Sequence, residues 1–318
     1  MTETLFLTSD DVSGLATPAD YVDRVADGYR QRGDGAPADP RTALFADDPT
    51  GMLTSYTAIL PEDGYMGGYT YSAGFGANDA WFMTPLFDAD SGEPLALLDG
   101  ASMNPFKTGA TGAVGVDMLA RENATRVGVI GSGAQARGQL RATATVRELT
   151  AVEVYSPTAA NREAFAEEMT ETLGVDVTAV ESSTAAVADA DIVITATSAS
   201  DPVFDGDQLA PGTHVTAMGQ YNPNKRELDT TTIERSTYVP DLRDRATQDA
   251  GSFLHAIDAG VIDESHIHAE LGDIVADNAV GRTSDEEITV FDSGGTAIET
   301  VAAAGMLYER AREQGVPV

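Results

Sequence analysis

Arg126-Val-Gly-Val-Ile-Gly-Ser-Gly-Ala-Gln-Ala136 reads as a short buried strand running into a Gly-x-Gly-x-x-Ala turn and then a helix, the arrangement that cradles a dinucleotide. Gly131 lets the chain turn tightly, and Gly133 lets the backbone approach a pyrophosphate with no side chain in the way. Ala136 is small enough for the helix to pack close to the strand. The helix from Gln135 to about Val146 then aims its free N–H groups and positive dipole end at the phosphates.

The segments on either side agree with that reading. Val152–Tyr155 alternates as a second strand and ends in Ser156, and Ser182–Ala190 is a polar helix feeding the apolar run Asp191–Thr197. Strand, helix, strand, helix, strand is one half of a doubly wound parallel sheet, so the fold class is α/β of the Rossmann type. Gly212–Gly219 and Thr237–Asp241 read as two further parallel strands, whose carboxyl ends at Gly219 and Asp241 should face the cofactor. An acidic residue at the end of the second strand would bind the ribose of NAD. Ser156-Pro-Thr158 with Arg162 instead leaves room for a 2′-phosphate, which favours NADP over NAD, although Arg162 also fits as a solvated helix residue.

The first 120 residues have a different texture. Asp20–Arg32 is an amphipathic helix pattern. From Arg41 onward the segments 51–60, 67–73, 81–88 and 94–99 are separated by Gly, Pro and Asp turns, as in an antiparallel meander. Phe106–Arg121 reads as a linking helix, Glu287–Phe291 as a late strand and Gly295–Gln314 as an Ala-rich helix returning to the first unit. The expected division is a smaller α+β substrate and dimerisation domain from residues 1–121 plus 290–318, with a nucleotide-binding domain, 122–289, inserted between them.

Composition excludes several function classes. With 51 acidic against 19 basic residues the chain carries a formal charge of −32, while 42% of it is hydrophobic. That is a charged coat over an ordinary core, read here as adaptation to concentrated salt in a halophile, and it makes nucleic acid a poor partner. The absence of cysteine removes thiol nucleophiles and thiolate metal sites. His214, His255, His266 and His268 lack metal-ligand spacing, so no metal is expected. Met1-Thr-Glu-Thr-Leu-Phe-Leu7 has neither the basic region nor the apolar core of a signal peptide, and no run is long enough to span a membrane, so a cytoplasmic location is expected.

Several segments together resemble the ornithine cyclodeaminase and mu-crystallin family, which includes archaeal alanine dehydrogenases and ketimine reductases. The resemblance is carried by 129–136, by Ala190–Thr197 with Pro202-Val203, by 211–219, by Arg226-Glu-Leu-Asp229 and by Thr289-Val-Phe-Asp-Ser-Gly-Gly-Thr-Ala297. It implies a nicotinamide cofactor, a homodimer paired through the strand-rich first domain, and a small amino, imino or keto acid held in the cleft. By the same resemblance Arg41 binds the substrate carboxylate, with Met52 and Gly295 beside it, and Asp241 is the catalytic aspartate; a capping aspartate is the alternative. The implied cofactor contacts are Thr108 on the linking helix, Gly131, Ser132, Gly133, Ala134 and Gln135 in the turn, and Ser156, Thr158 and Arg162 after the second strand. Ala196, Thr197, Met218, Gly219 and Ser293 complete the set at later strand ends.

Two positions depart from the family pattern. Where the family usually carries a catalytic lysine in a Gly-x-Lys strand, this chain reads Gly67-Gly-Tyr69, and where it usually has arginine at a helix start, this chain has Lys107. An ammonium cannot reproduce a guanidinium's bidentate fork. Tyr69 is thus either a hydroxyl acid or a packed strand residue, and Lys107 either a carboxylate anchor or a proton donor with a depressed pKa. Asp292 also stands where lysine is common. The leading expectation is an NAD(P)-dependent reductase or dehydrogenase of a small imino or keto acid. Its rivals are a cyclodeaminase-like lyase that recycles its nicotinamide and a binding protein without chemistry.

Overall fold

The computed structural model describes residues 4–76, 80–219 and 221–316; residues 1–3, the start of the stretch read for a signal peptide, lie outside the described residues. The first sheet contains β1 (Leu5–Leu7), β2 (Thr42–Asp47), β3 (Thr50–Leu60), β4 (Tyr65–Gly74), β5 (Trp81–Asp88) and β6 (Pro94–Asp99), in the order β1-β6-β5-β4-β3-β2. The meander from β2 to β6 is antiparallel, and β1 joins it parallel to β6. Period-two patterning makes it amphipathic: Thr54, Tyr56, Ala58 and Leu60 of β3 are buried, while Leu53, Thr57 and Ile59 between them are exposed. The helix Ala297–Glu313 covers the buried face and packs in turn on the helix Pro18–Gly33.

The second sheet is parallel throughout. It contains β7 (Arg126–Ile130), β8 (Ala151–Tyr155), β9 (Val177–Ala179), β10 (Ile192–Thr195), β11 (His214–Met218), β12 (Ser236–Pro240) and β13 (Ile288–Ser293), in the order β12-β13-β11-β10-β7-β8-β9. Every residue of β10 and β11 is buried, as expected for parallel strands covered on both faces. From β7 the chain winds outward through β8 and β9, then returns to β10 on the other side. The switch point therefore lies between β7 and β10, just where the glycine turn leaves β7.

One boundary differs from the expectation. The division at 289/290 cuts β13, which pairs with β11 along its whole upper length and with β12 from Ile288 to Asp292. By its hydrogen bonds the strand belongs to the parallel sheet from end to end, and the chain leaves that sheet only after Ser293. Its partners are distant in sequence, so no local pattern marks it as part of the inner layer.

The helix Asn104–Leu119 joins the two sheets and packs on the helix Ala134–Val146. This contact is backbone to backbone: a Cβ on Gly138 would lie 2.1 Å from the Pro105 carbonyl oxygen, and one on Gly109 would lie 2.3 Å from that of Gly138. Among the described residues, no helix is long and apolar enough to cross a membrane. Replacing Gly138 by Ala must push the helices apart, so thermal unfolding of Gly138→Ala should show a loss of about 1–3 kcal/mol. An unchanged Tm would mean that the two backbones are not held at this spacing.

Candidate active site

The glycine turn has the geometry that a dinucleotide requires. Gly131 sits at φ +120°, and a Cβ there would stand 2.3 Å from the Ala196 carbonyl oxygen, so only glycine fits. Gly133 faces open space, with nothing within 4 Å of the place a Cβ would take, and it opens the helix Ala134–Val146 without a side-chain cap. The first-turn N–H groups beside Ala134 and Gln135 are left for a ligand. Ala136 is fully buried. Gln135 Oε1 is buried without a hydrogen-bond partner.

Of the residues expected to line the cofactor, Ser132, Ser156, Ala196 and Thr197 lie at this turn. Ser132 Oγ donates to Ser156 Oγ at 2.9 Å, tying the turn to the end of β8, and Thr158 caps the next helix through its backbone only. Arg162 is neither free nor solvated. It is buried, donating from Nη1 to Ser156 O at 3.1 Å and from Nη2 to the exposed Glu181 at 2.8 Å. Thr108 presents its carbonyl to Gln139 Nε2 at 2.7 Å, which again joins the two packed helices. At the ends of β11 and β13, Gly219 N donates to Ser293 O at 2.9 Å beside the buried Met218.

The loop after β10 is held by a residue that no sequence motif singles out. Glu227, inside the Arg226–Asp229 segment, is buried and accepts from Thr195 Oγ1 at 2.9 Å and from Thr197 N at 2.6 Å. These bonds flank Ala196, the residue that abuts Gly131. Burial pushes the Glu227 carboxyl up to about 7, against the pull of the two threonines.

On the other side of the cleft lies a buried polar cluster built from both sheets. Arg41 donates from Nη2 to Gly294 O at 2.8 Å and lies 3.6 Å from Asp249, with its guanidinium 5.2 Å from the Tyr56 ring centre and 4.1 Å from that of Tyr221. Among the described residues its Nε and Nη1 have no hydrogen-bond partner. A Cβ on Gly295 would lie 3.9 Å from Arg41 Nη2 and 3.6 Å from Glu299 Oε1, which puts all three in one place. Met52 shares the sheet face of Tyr56, Tyr69 and Tyr71, since it pairs with Ala73 while Tyr56 pairs with Tyr69.

Lys107 and Tyr69 meet here. Lys107 Nζ is 4.5 Å from the Tyr69 ring centre and 3.6 Å from Glu299 Oε1, wholly buried. Burial lowers the Lys107 pKa, opposed by Glu299. The Tyr69 ring stacks on Phe82 at 5.3 Å, and its buried hydroxyl has no hydrogen-bond partner among the described residues. Burial, reinforced by the neighbouring Tyr56 and Tyr71, raises its pKa far beyond the ordinary phenol range. Glu299 is legible in the sequence as half of a Thr296-x-x-Glu capping box, which forms, but not as the counter-ion of Lys107.

Asp241 departs from its expected role. It is completely buried, and its Oδ1 accepts from Leu242 N (2.7 Å) and Arg245 Nε (2.8 Å) while its Oδ2 accepts from Ser293 Oγ (2.8 Å), Gly294 N (3.0 Å) and Gly295 N (3.2 Å). A carboxylate offers about four lone-pair sites, so this one is committed to holding the turn that supports Arg41. The cation beneath is Arg245, which also donates to Asp292 at 2.8 Å. The spacing 245, 249 is a partial signal, because side chains four apart share a helix face, and Asp241 stands just ahead of the N-cap Leu242. Arg245→Met would leave buried carboxylates uncompensated, and equilibrium unfolding should register a loss of roughly 3–5 kcal/mol. A loss below about 1 kcal/mol would show that the cluster is not held by charge.

Comparison with known proteins places this arrangement in a family. Residues 2–315 match the ornithine cyclodeaminase/mu-crystallin family. The chain is 39% identical to a Delta(1)-pyrroline-2-carboxylate reductase of Bacillus cereus over 73% of its own length and 71% of that protein's. Its fold is similar to that of the Delta(1)-pyrroline-2-carboxylate reductase of Thermococcus litoralis in complex with NADH and L-proline, at TM-score 0.94 and 34% identity, covering 99% of both chains. It is similar, too, to an archaeal alanine dehydrogenase dimer with bound NAD, at TM-score 0.93 and 30% identity, covering 100% of this chain and 98% of that one. With the glycine turn, the late Ser293–Gly295 turn and the buried Arg41 site all inside the matched span, the chain belongs to the ornithine cyclodeaminase/mu-crystallin family.

Proposed function

We propose that this protein is an NAD(P)H-dependent reductase of small cyclic imino acids that carry one carboxylate, with a pyrroline-2-carboxylate as the substrate class. The observation that carries the reading is the Arg41 edge: a buried guanidinium held by Gly294, whose Nε and Nη1 make no hydrogen bond among the described residues and whose Nη1 has only a long 3.6 Å ion pair to Asp249, is built to receive a carboxylate. Lys107 is not a second anchor of this kind, because an ammonium already 3.6 Å from Glu299 has no planar fork to meet a carboxylate edge-on. The relatives that reduce pyrroline-2-carboxylate support the same class.

The cofactor, when bound, supplies the hydride; the overall change is imine plus NAD(P)H plus a proton to amine plus NAD(P)+. The chain's own residues do the rest. Gly131, Ser132, Gly133, Ala134 and Gln135 receive the pyrophosphate, with Thr108, Ala196, Thr197, Met218, Gly219 and Ser293 around it. Lys107, with its pKa lowered by burial, holds a proton that can pass to the imine nitrogen, and the Tyr69 ring, stacked on Phe82, covers it on the side of the first sheet. Asp241 acts as a positioning residue for Gly294 and Gly295 beside Arg41. The substrate unit is the first sheet with the C-terminal helix, and the nucleotide unit is the parallel sheet.

Incubation with Δ1-pyrroline-2-carboxylate should give net oxidation of the nicotinamide and formation of proline. Arg41→Ala should lower kcat/KM by about 30- to 150-fold, mainly through KM, as expected for a lost charge-assisted pair worth ~2–3 kcal/mol. Ornithine consumed without net nicotinamide change would replace the reading by the lyase, and cofactor binding with no turnover would replace it by a binding protein.

Cofactor choice follows from the end of β8. No carboxylate stands at Ser156 to repel a 2′-phosphate, and the partner that Arg162 would have to give up, Glu181, is exposed, so the exchange costs little. NADPH and NADH should both serve. Arg162→Ala should lower kcat/KM for NADPH about tenfold while changing that for NADH less than about threefold, and equal losses for both would remove Arg162 from selectivity.

A homodimer completes the proposal. The outer face of the first sheet presents Leu44 (68% exposed), Leu53 and Trp81 (74% exposed) in one cross-strand row through Ser72, with Met83 in the next. Such an apolar face marks an interface, and the alanine dehydrogenase of the same fold is a dimer. Leu53→Asp should shift sedimentation from dimer to monomer, and an unchanged dimer would place the interface elsewhere.

A further inference from the structure

Beneath Arg41 the buried charges do not balance. Arg41 and Arg245, both buried, face the carboxyl groups of Asp241, Asp249 and Asp292, also buried. Lys107 and Glu299 beside them neutralise each other. With every group ionised the cluster already carries one negative charge in excess, and a carboxylate ligand on Arg41 would add another in a place that water does not screen.

The three carboxyl groups are not equally held. Asp241 accepts five hydrogen bonds, and Asp292 accepts from Arg245 at 2.8 Å. Among the described residues Asp249 is held by ion pairs, 3.6 Å to Arg41 and 3.8 Å to Arg245, and its buried Oδ1 has no hydrogen-bond partner. It is the weakest-held anion and lies nearest the unpartnered edge of Arg41. Protonated, it would also become a donor for the ligand's own carboxylate.

We infer that this site takes up one proton as it binds a carboxylate ligand, and that Asp249 is the residue that takes it. The inference rests on the reading of Arg41 as the carboxylate anchor. The groups facing Asp249 are Arg245 on its own helix, Arg41 ahead of β2, Asp241 at the end of β12, Asp292 in β13 and the phenol of Tyr71 in β4. Burial already pushes the Asp249 carboxyl up to about 6 against the pull of Arg245 and Arg41. In the free protein it is therefore ionised above that pH. A bound carboxylate raises it further, so from about pH 6 upward binding consumes a proton and affinity falls as pH rises. Asp249 acts through Arg41 and is a positioning residue that sets the charge the site accepts.

The test uses pyrrole-2-carboxylate, a planar monoanion without a basic nitrogen, titrated calorimetrically into the whole protein saturated with NADH. Runs at about pH 7.5 in Pipes and in Tris, whose ionisation heats differ, read the proton count. The wild type should take up about half a proton or more per ligand, and its Kd should rise roughly fivefold from about pH 7 to about pH 8. Asp249→Asn should bind with no uptake and a Kd that changes less than about twofold over the same range. Binding by the wild type without proton uptake overturns the inference while leaving the Arg41 reading intact, and this measurement needs no variant. Uptake that persists in Asp249→Asn overturns the assignment to Asp249. Absence of binding overturns the Arg41 reading itself, and the inference with it.

Discussion

Where the helices Asn104–Leu119 and Ala134–Val146 cross, Gly138 stands against the Pro105 carbonyl and Gly109 against that of Gly138, so the backbones touch with no side chain between them. The first turn of one helix carries Lys107 and Thr108, and the first turn of the other opens at the dinucleotide turn. The distance from Lys107 to the glycine turn is therefore set by backbone contact, with Gln139 closing the gap to the Thr108 carbonyl. Long side chains would leave that distance soft. Catalysis by hydride transfer needs the reacting atoms held near about 3–3.5 Å, and a rigid floor of this kind supplies it.

A second constraint works from below. Burying charges costs more than their attraction returns unless the remaining hydrogen bonds are made, so a cluster such as Asp241–Arg245–Asp292 is a poor source of stability. What it does supply is direction. Asp241 pulls the N–H groups of Gly294 and Gly295 inward, which turns the Gly294 carbonyl toward Arg41 Nη2. The guanidinium is thus aimed by a chain of contacts that begins on β12, in the parallel sheet with the glycine turn, and ends at the antiparallel sheet. Asp249 lies on the same chain, between the two arginines.

Much of this is legible in the sequence, and the reasons for the gaps are physical. The apolar run Asp191–Thr197 and the segment Gly212–Gly219 read as parallel strands and contain β10 and β11, buried on both faces, and the meander shows in its turns. Three-residue strands such as β1 and β9 hold too little pattern to find. The segment of β13 reads as a strand, but its neighbours β11 and β12 are remote, and strand pairing leaves no local trace. In the site, position is readable and partnership is not. Asp241 stands at a strand end, yet nothing local reveals five donors. Arg162 reads as free because its partner Glu181 lies on another segment.

Tyr69 and Lys107 explain each other once their contact is known. A lysine at 69, as the family pattern has it, would put a second ammonium beside Lys107, with Glu299 the carboxylate already committed to the first. Two buried ammonium groups on one counter-ion would drive one of them neutral. An aromatic ring at 69 removes that conflict and offers its negative face to Lys107 at 4.5 Å. The exchange therefore lowers the positive charge of the site by one without opening a cavity, since the ring is stacked on Phe82. A site so altered has one guanidinium, Arg41, that keeps hydrogen-bonding edges for an anion among the described residues. It should prefer a substrate with one carboxylate over a dicarboxylate, whose second charge would meet Asp249 and Glu299 with no cation left to pair it.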